Sequence, residues 1–126
     1  EQSAWLRFAR LGRGAQGAEG GEGALVGMMG AILDESDPAG QTAAVVGVVV
    51  APEARGRGIG RRLLASILDA LRATGRVRRV HLDVTATQDA ALRLYRGAGF
   101  QETGRIERLM GDGRLHQVMV MARPLP

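Results

Sequence analysis

Apolar side chains recur along this chain at two spacings, every second residue in some stretches and every third or fourth in others, and the change from one to the other predicts its elements. Residues 24–33 (Ala-Leu-Val-Gly-Met-Met-Gly-Ala-Ile-Leu) form an apolar run that reads as a buried strand, and Asp37-Pro38-Ala39-Gly40 carries hairpin-turn chemistry. Residues 42–50 return as the next strand, with Gly47 inside it as a bulge or as simple packing relief. Residues 59–74 place Leu63, Leu64, Ile67, Leu68 and Leu71 on one helical face, with Arg61, Arg62, Asp69 and Arg72 mostly on the other. Gly75 ends that helix. Val80, Leu82 and Val84 alternate with His81, Asp83 and Thr85 as a strand, and Thr87 is positioned to cap a short helix over residues 89–96, closed by Gly97 or Gly99. Two further strands, residues 101–109 and 115–122, flank the turn Gly111-Asp112-Gly113. Residues 4–11 put Trp5, Phe8 and Ala9 at helical spacing and are expected to end a helix, the alternative being a strand through Trp5, Arg7 and Ala9. Residues 12–23, rich in Gly, Ala and Glu, read as a flexible surface loop. The expected order is β-β-α-β-α-β-β, with parallel pairing where a helix separates two strands.

One junction in this pattern carries chemistry. Residues 48–64 read Val-Val-Val-Ala-Pro-Glu-Ala-Arg-Gly-Arg-Gly-Ile-Gly-Arg-Arg-Leu-Leu, a β-branched strand, a basic glycine loop and a helix start. Gly56, Gly58 and Gly60 let main-chain amides approach a phosphate, and the helix adds unpaired N–H groups and the positive end of its dipole. Arg55, Arg57 and Arg61 surround the loop with charge. A dinucleotide fingerprint needs a third glycine where Arg61 stands, and a triphosphate loop needs a lysine, which the chain does not contain. What remains is Arg-x-x-Gly-x-Gly (Arg55, Gly58, Gly60), preceded by Val50-Ala51-Pro52 and followed by Leu63 and Leu64. A plain strand-to-helix turn is the alternative for this stretch alone.

Downstream, residues 87–100 read Thr-Gln-Asp-Ala-Ala-Leu-Arg-Leu-Tyr-Arg-Gly-Ala-Gly-Phe. The two stretches, in this order and with a helix and a strand between them, resemble the GNAT superfamily of acetyl-coenzyme A-dependent N-acetyltransferases. The first is similar to its coenzyme A loop, the second to its signature Asn-x-x-Ala-x-x-Leu-Tyr-x-x-x-Gly-Phe. The resemblance is specific over residues 45–100 and looser over 104–125.

It implies an α/β fold with a mixed, mostly antiparallel sheet splayed at the cofactor groove and flanking helices, in one domain over residues 1–126. The family's opening elements are expected to be short or missing here, since the chain is short for the family and begins with Glu. By the same resemblance acetyl-CoA is the co-substrate, and a small-molecule or peptide amine attacks it directly in a ternary complex. Its pyrophosphate is assigned to Arg55, Gly56, Arg57, Gly58, Ile59, Gly60 and Arg61. The main chain of Val48, Val49 and Val50 is assigned to the developing oxyanion. Tyr95, the only tyrosine, is the catalytic acid for the departing thiolate, or else a core tyrosine sharing a face with Ala91 and Leu94. Gln88 replaces the family's Asn as a pantetheine contact. No general base stands out among Asp34, Glu35, Glu53, Asp83 and His116. A non-catalytic acyl-CoA-binding regulatory module is the second reading.

Composition adds boundaries. The chain has 126 residues, a net charge of +4 and no cysteine, so disulfides, thiolate metal sites and cysteine nucleophiles are excluded. Basic balance invites a nucleic-acid reading, but the arginines are scattered and aromatics are only 3%, leaving no stacking platform. Arginine without lysine, with abundant Ala and Gly, points to coding bias. His81 and His116 are too few for a metal cluster, so no metal is expected. No apolar run approaches the ~18 residues of a membrane span, and a cytoplasmic protein is expected. The final strand, with Val118, Met119, Val120 and Met121, reads as core or as a homodimer surface.

Overall fold

Alternating and continuous apolar runs become strands here, and the two amphipathic runs become helices. The computed structural model describes residues 3–10 and 24–126, so the glycine-rich loop expected over residues 12–23 lies outside the described residues. The order is β1 (Ala4–Arg10), β2 (Leu25–Leu33), β3 (Thr42–Val50), a 3-10 turn (Pro52–Ala54), α1 (Ile59–Ala73), β4 (Arg79–Thr85), α2 (Asp89–Gly97), β5 (Gln101–Leu109) and β6 (Leu115–Pro124). The strands hydrogen-bond in the order β1-β2-β3-β4-β6-β5, giving a mixed, mostly antiparallel, open sheet. The chain divides into two compact units. One holds the described residues up to Ile32 together with Val45–Gly75, and the other holds Leu33–Ala44 and Arg76–Pro126.

In the first unit, β1 corrects the helix end expected over residues 4–11. It runs antiparallel to β2, with Trp5 opposite Ala31 and Phe8 opposite Met28. The helical spacing of Trp5, Phe8 and Ala9 covers too little chain to nucleate a helix, whereas a strand satisfies its backbone groups along β2. Trp5, Arg7 and Ala9 form the more covered face, and Leu6 and Phe8 are 55% and 53% exposed. Because the exposed face is as apolar as the covered one, hydrophobicity alone did not reveal the period.

α1 packs on β1 and buries Ile59, Leu63, Leu64, Ile67, Leu68 and Leu71, the face expected from its sequence. Its first turn also presses on β2. A Cβ at Gly27 would lie 3.2 Å from Ile59 Cγ2, 3.3 Å from Leu63 Cδ1 and 3.3 Å from the Val49 carbonyl oxygen. Gly47, inside β3, has φ +63°, a left-handed conformation that favours glycine.

In the second unit the parallel pairing expected between β3 and β4 joins Thr42, Ala43 and Ala44 to Arg79, Val80 and His81. β4 and β5 each run antiparallel to β6, and the β5 register shifts between Glu102 and Gly104. The final strand is core, with Val118, Met119 and Met121 at most 2% exposed. β5 is exposed along almost its whole length. The N-cap of α2 is Gln88 rather than Thr87, with no side-chain cap bond. The Asp89 amide takes the Thr87 main-chain oxygen instead of its hydroxyl.

The turn between β2 and β3 is built from two aspartates. The Asp34 carboxylate accepts from the Ser36 hydroxyl at 2.6 Å and the Ser36 amide at 2.9 Å, and Asp37 accepts from the Thr42 hydroxyl and the Ala39 and Gln41 amides. These bonds, the Ser36 and Thr42 hydroxyls foremost, hold both carboxyls below their ordinary value of 3.8.

Two outcomes follow for stability. Gly27→Ala should lower the unfolding free energy by about 1–3 kcal/mol in urea denaturation, through overpacking between β2 and α1. The carboxylates of Asp34 and Asp37, with folded values depressed, stabilise fully above 3.8 and lose that contribution as pH falls through the lower folded values. The melting temperature should therefore drop steeply on acidification below 3.8, and Asp37→Asn should flatten that slope.

Candidate active site

The loop that joins β3 to α1 is shaped by what its two ends are tied to. At the strand end the Ala51 amide donates to the Val26 carbonyl at 2.7 Å, fixing the end of β3 against β2. Pro52 then fits the first position of a 3-10 turn, where its missing N–H costs nothing. Ala54 is 1% exposed and anchors the turn. The Arg55 side chain folds back, its Nε donating to the Val50 carbonyl at 3.3 Å.

Between Arg55 and the helix the backbone reverses through two left-handed residues, Gly56 at φ +81° and Gly58 at φ +75°. Gly58 is the N-cap of α1, a position where any other residue would be strained and where a Cβ would sit 3.3 Å from Arg61 Nη2. Glycine supplies no side-chain acceptor. The first intrahelical bond is from the Arg62 amide to the Gly58 carbonyl, and among the described residues no acceptor meets the amides of Ile59, Gly60 and Arg61. Helix starts favour acidic side chains, yet the first turn of α1 has none and carries Arg61 and Arg62 instead. Unpaired amides, a dipole end and guanidinium groups together leave positive potential that an anion would neutralise.

Every residue assigned to the pyrophosphate from sequence, Arg55 to Arg61, lies in this single segment. Val48, Val49 and Val50 lead into it. Val48 and Val49 are 38% and 57% exposed although β3 is interior in the strand order. Glycine at positions 56 and 58 fits a cradle for a phosphate group, since side chains there would occupy the approach.

Tyr95 and Gln88 belong to the second unit. Tyr95 lies in the last turns of α2, whose sequence turns Leu92 and Tyr95 inward. Phe100 meets the Tyr95 ring edge-on, 5.9 Å between centroids, and the Phe100 amide donates to the Tyr95 carbonyl at 3.0 Å. Arg123 closes the same end of α2, its Nη1 donating to the Ala98 carbonyl at 2.7 Å. Tyr95 is 4% exposed, and this burial raises its phenol above the ordinary 10.0. No hydrogen bond to its hydroxyl is formed within the described residues, and no fully buried side-chain oxygen lacks a partner. Its hydroxyl oxygen is therefore not fully buried. Gln88 is exposed at the N-cap.

The acidic and imidazole candidates for a base are engaged in other contacts or exposed. Asp34 also meets His81 Nε2 at 3.0 Å, Asp83 pairs with Arg108 at 2.9 Å, and His116 meets Asp112 at 2.8 Å. Glu35 and Glu53 are exposed. No cluster of His, Asp and Glu able to hold a metal occurs among the described residues, and no helix among them is long and apolar enough to cross a membrane.

Comparison with known proteins places these features in a family. The model of the acetyltransferase (GNAT) family matches residues 3–100. RimI, an N-alpha-acetyltransferase of Mycobacterium tuberculosis, is 54% identical over 55 residues, which is 44% of this chain and 32% of that protein. Phosphinothricin N-acetyltransferase of Streptomyces coelicolor is 37% identical over 89 residues, 70% of this chain and 52% of that one. The chain thus spans about a third to a half of the length of these relatives. The structure of yncA from Salmonella typhimurium, solved with its cofactor acetyl-CoA, superposes with a TM-score of 0.74 at 24% identity, covering 82% of this chain and 60% of that one. That likeness is one of fold. With the family model spanning the strand, the glycine loop, the helix and the tyrosine signature together, this chain belongs to the GNAT acetyltransferase family.

Proposed function

We propose that the protein is an N-acetyltransferase that moves an acetyl group from acetyl-CoA to a primary amine, by direct attack in a ternary complex. The observation that carries this reading is the β3–α1 loop, with two left-handed glycines, open amides at the helix start and arginines in place of acids. The diphosphate of the donor matches that set of donors and charges, and Gly56 to Arg61 are the residues that hold it. Arg55, tied to the Val50 carbonyl, keeps the end of β3 in place for main-chain contacts from Val48 to Val50.

When bound, acetyl-CoA supplies the acyl carbon already activated as a thioester. Tyr95 keeps its proton throughout the neutral range because burial raises its phenol, and it donates that proton toward the departing sulfur. The amine loses its proton to water and water returns one to the Tyr95 phenolate, since Asp34, Asp83 and His116 are held by partners of their own and Glu35 and Glu53 lie exposed. The acceptor is a peptide α-amine or a small-molecule amine, the classes named for the RimI and phosphinothricin relatives. Gln88 reaches the pantetheine in place of the family's Asn, and the cytoplasm is the compartment where the donor is available.

Tyr95→Phe should lower kcat by about 100-fold while leaving the KM for acetyl-CoA nearly unchanged, read from thiol release with a panel of amines. Equal turnover by wild type and Tyr95→Phe would remove Tyr95 from the acid role. Calorimetry should find acetyl-CoA binding lost in Gly58→Asp, because the substitution puts a charged side chain and a disfavoured φ at the cradle. A dissociation constant equal to wild type would refute the loop as the donor site. Binding of acetyl-CoA without turnover on any amine would instead identify the non-catalytic acyl-CoA-binding module.

A further inference from the structure

β1 is separated from β3 by β2 in the strand order, so its contact with α1 lies two strands away from the strand that feeds the glycine loop. A cleft of about 550 Å³ opens between β1 and the first turns of α1, lined among others by Arg7, Arg57, Arg62 and Ser66 over Ile59 and Leu63. Arg7 occupies an inward position of a strand whose neighbours on that face are Trp5 and Ala9. A guanidinium is an unusual choice there and is held deliberately. Its Nε donates to Ser66 Oγ at 3.0 Å and its Nη1 to the Leu6 carbonyl at 2.9 Å. Those two bonds fix the plane of the guanidinium and leave its Nη2 without a partner among the described residues. Ser66 accepts in that contact and retains its own hydroxyl proton for donation.

At the other side of the cleft Arg62 Nη2 makes only a long bond, 3.4 Å, to the Arg57 carbonyl. Among the described residues no carboxylate pairs with Arg7, Arg57 or Arg62. Three arginines outside this cleft do pair with carboxylates, Arg72 with Asp69, Arg105 with Glu102 and Arg108 with Asp83. Three unpaired guanidinium groups facing one cleft repel each other, and a multivalent anion relieves that repulsion.

We propose that this cleft, which adjoins the donor loop through Arg57 and Ile59, is a second anion site centred on Arg7, Arg62 and Ser66, and that it takes a phosphate-bearing ligand other than the acyl donor. Two guanidinium edges and a serine hydroxyl supply the donors that the oxygens of a phosphoryl group accept. Bound there, such a ligand links β1 to the start of α1, and so bears on the helix whose amides open the donor loop.

The test is a calorimetric titration of the protein with inorganic pyrophosphate, in the presence of saturating coenzyme A and in its absence. One pyrophosphate should bind when coenzyme A is saturating, and a second, at the donor loop, when coenzyme A is absent. Arg7→Gln should weaken the first about tenfold and Ser66→Ala about threefold, while coenzyme A affinity stays within about twofold in both variants. Loss of pyrophosphate binding once coenzyme A saturates would overturn the proposal, because the probe would then be reading the donor loop. Pyrophosphate affinity equal to wild type in both variants would overturn it as well. Ser66→Ala leaves the packing intact, so the answer does not hang on Arg7→Gln folding normally. A protein that bound no coenzyme A yet showed Arg7-dependent pyrophosphate binding would refute the acetyltransferase reading and keep this one.

Discussion

The close seating of α1 on β2 at Gly27 governs the first unit. With Ile59 and Leu63 within van der Waals reach of a glycine that offers no side chain, the helix must begin directly over the sheet. The end of β3 is fixed as firmly, by the Ala51 amide on Val26 and by buried Ala54. Only residues 55–58 remain to reverse the chain, and the reversal requires left-handed backbone at Gly56 and Gly58. A side-chain cap is impossible at a glycine, so the amides of the first turn stay open as a direct result of how the helix is packed. Binding capacity at this loop is thus a by-product of core packing several residues away.

The second unit solves a related problem with an aromatic side chain. Leu92 and Tyr95 bury one face of a short helix, Phe100 meets Tyr95 edge-on, and Arg123 holds the helix end through the Ala98 carbonyl. The environment of the Tyr95 phenol stabilises the neutral form, and a protonated hydroxyl at neutral pH is the state a hydrogen-bond donor needs.

How much of this could be read from residues alone depended on whether the deciding interaction was local. The helix over residues 59–73, the glycine loop and the hairpin turns follow from spacing and turn chemistry, and they stand where the pattern put them. β1 does not: Leu6 and Phe8 on its open face are as apolar as Trp5 on the covered one, and only its ladder with β2 selects the strand. The cap of α2 differs for a similar reason, because the Asp89 amide donates to a main-chain partner, the Thr87 carbonyl, in place of the Thr87 hydroxyl. Arg7 and Ser66 were invisible as a pair, being 59 residues apart and joined only by the packing of α1 on β1. The one available signal was an arginine at the centre of the period-two set Trp5, Arg7 and Ala9.

β5 closes the strand order with a row of side chains open to solvent. A terminal strand of this kind is ordinarily a template on which other chains polymerise. Here Glu102, Arg105, Glu107 and Arg108 line it with both signs of charge, and the register shift between Glu102 and Gly104 breaks its regularity. An incoming strand would have to strip water from those charges and follow an interrupted ladder. The charges and the interrupted ladder thus oppose the addition of a further strand at this end of the strand order.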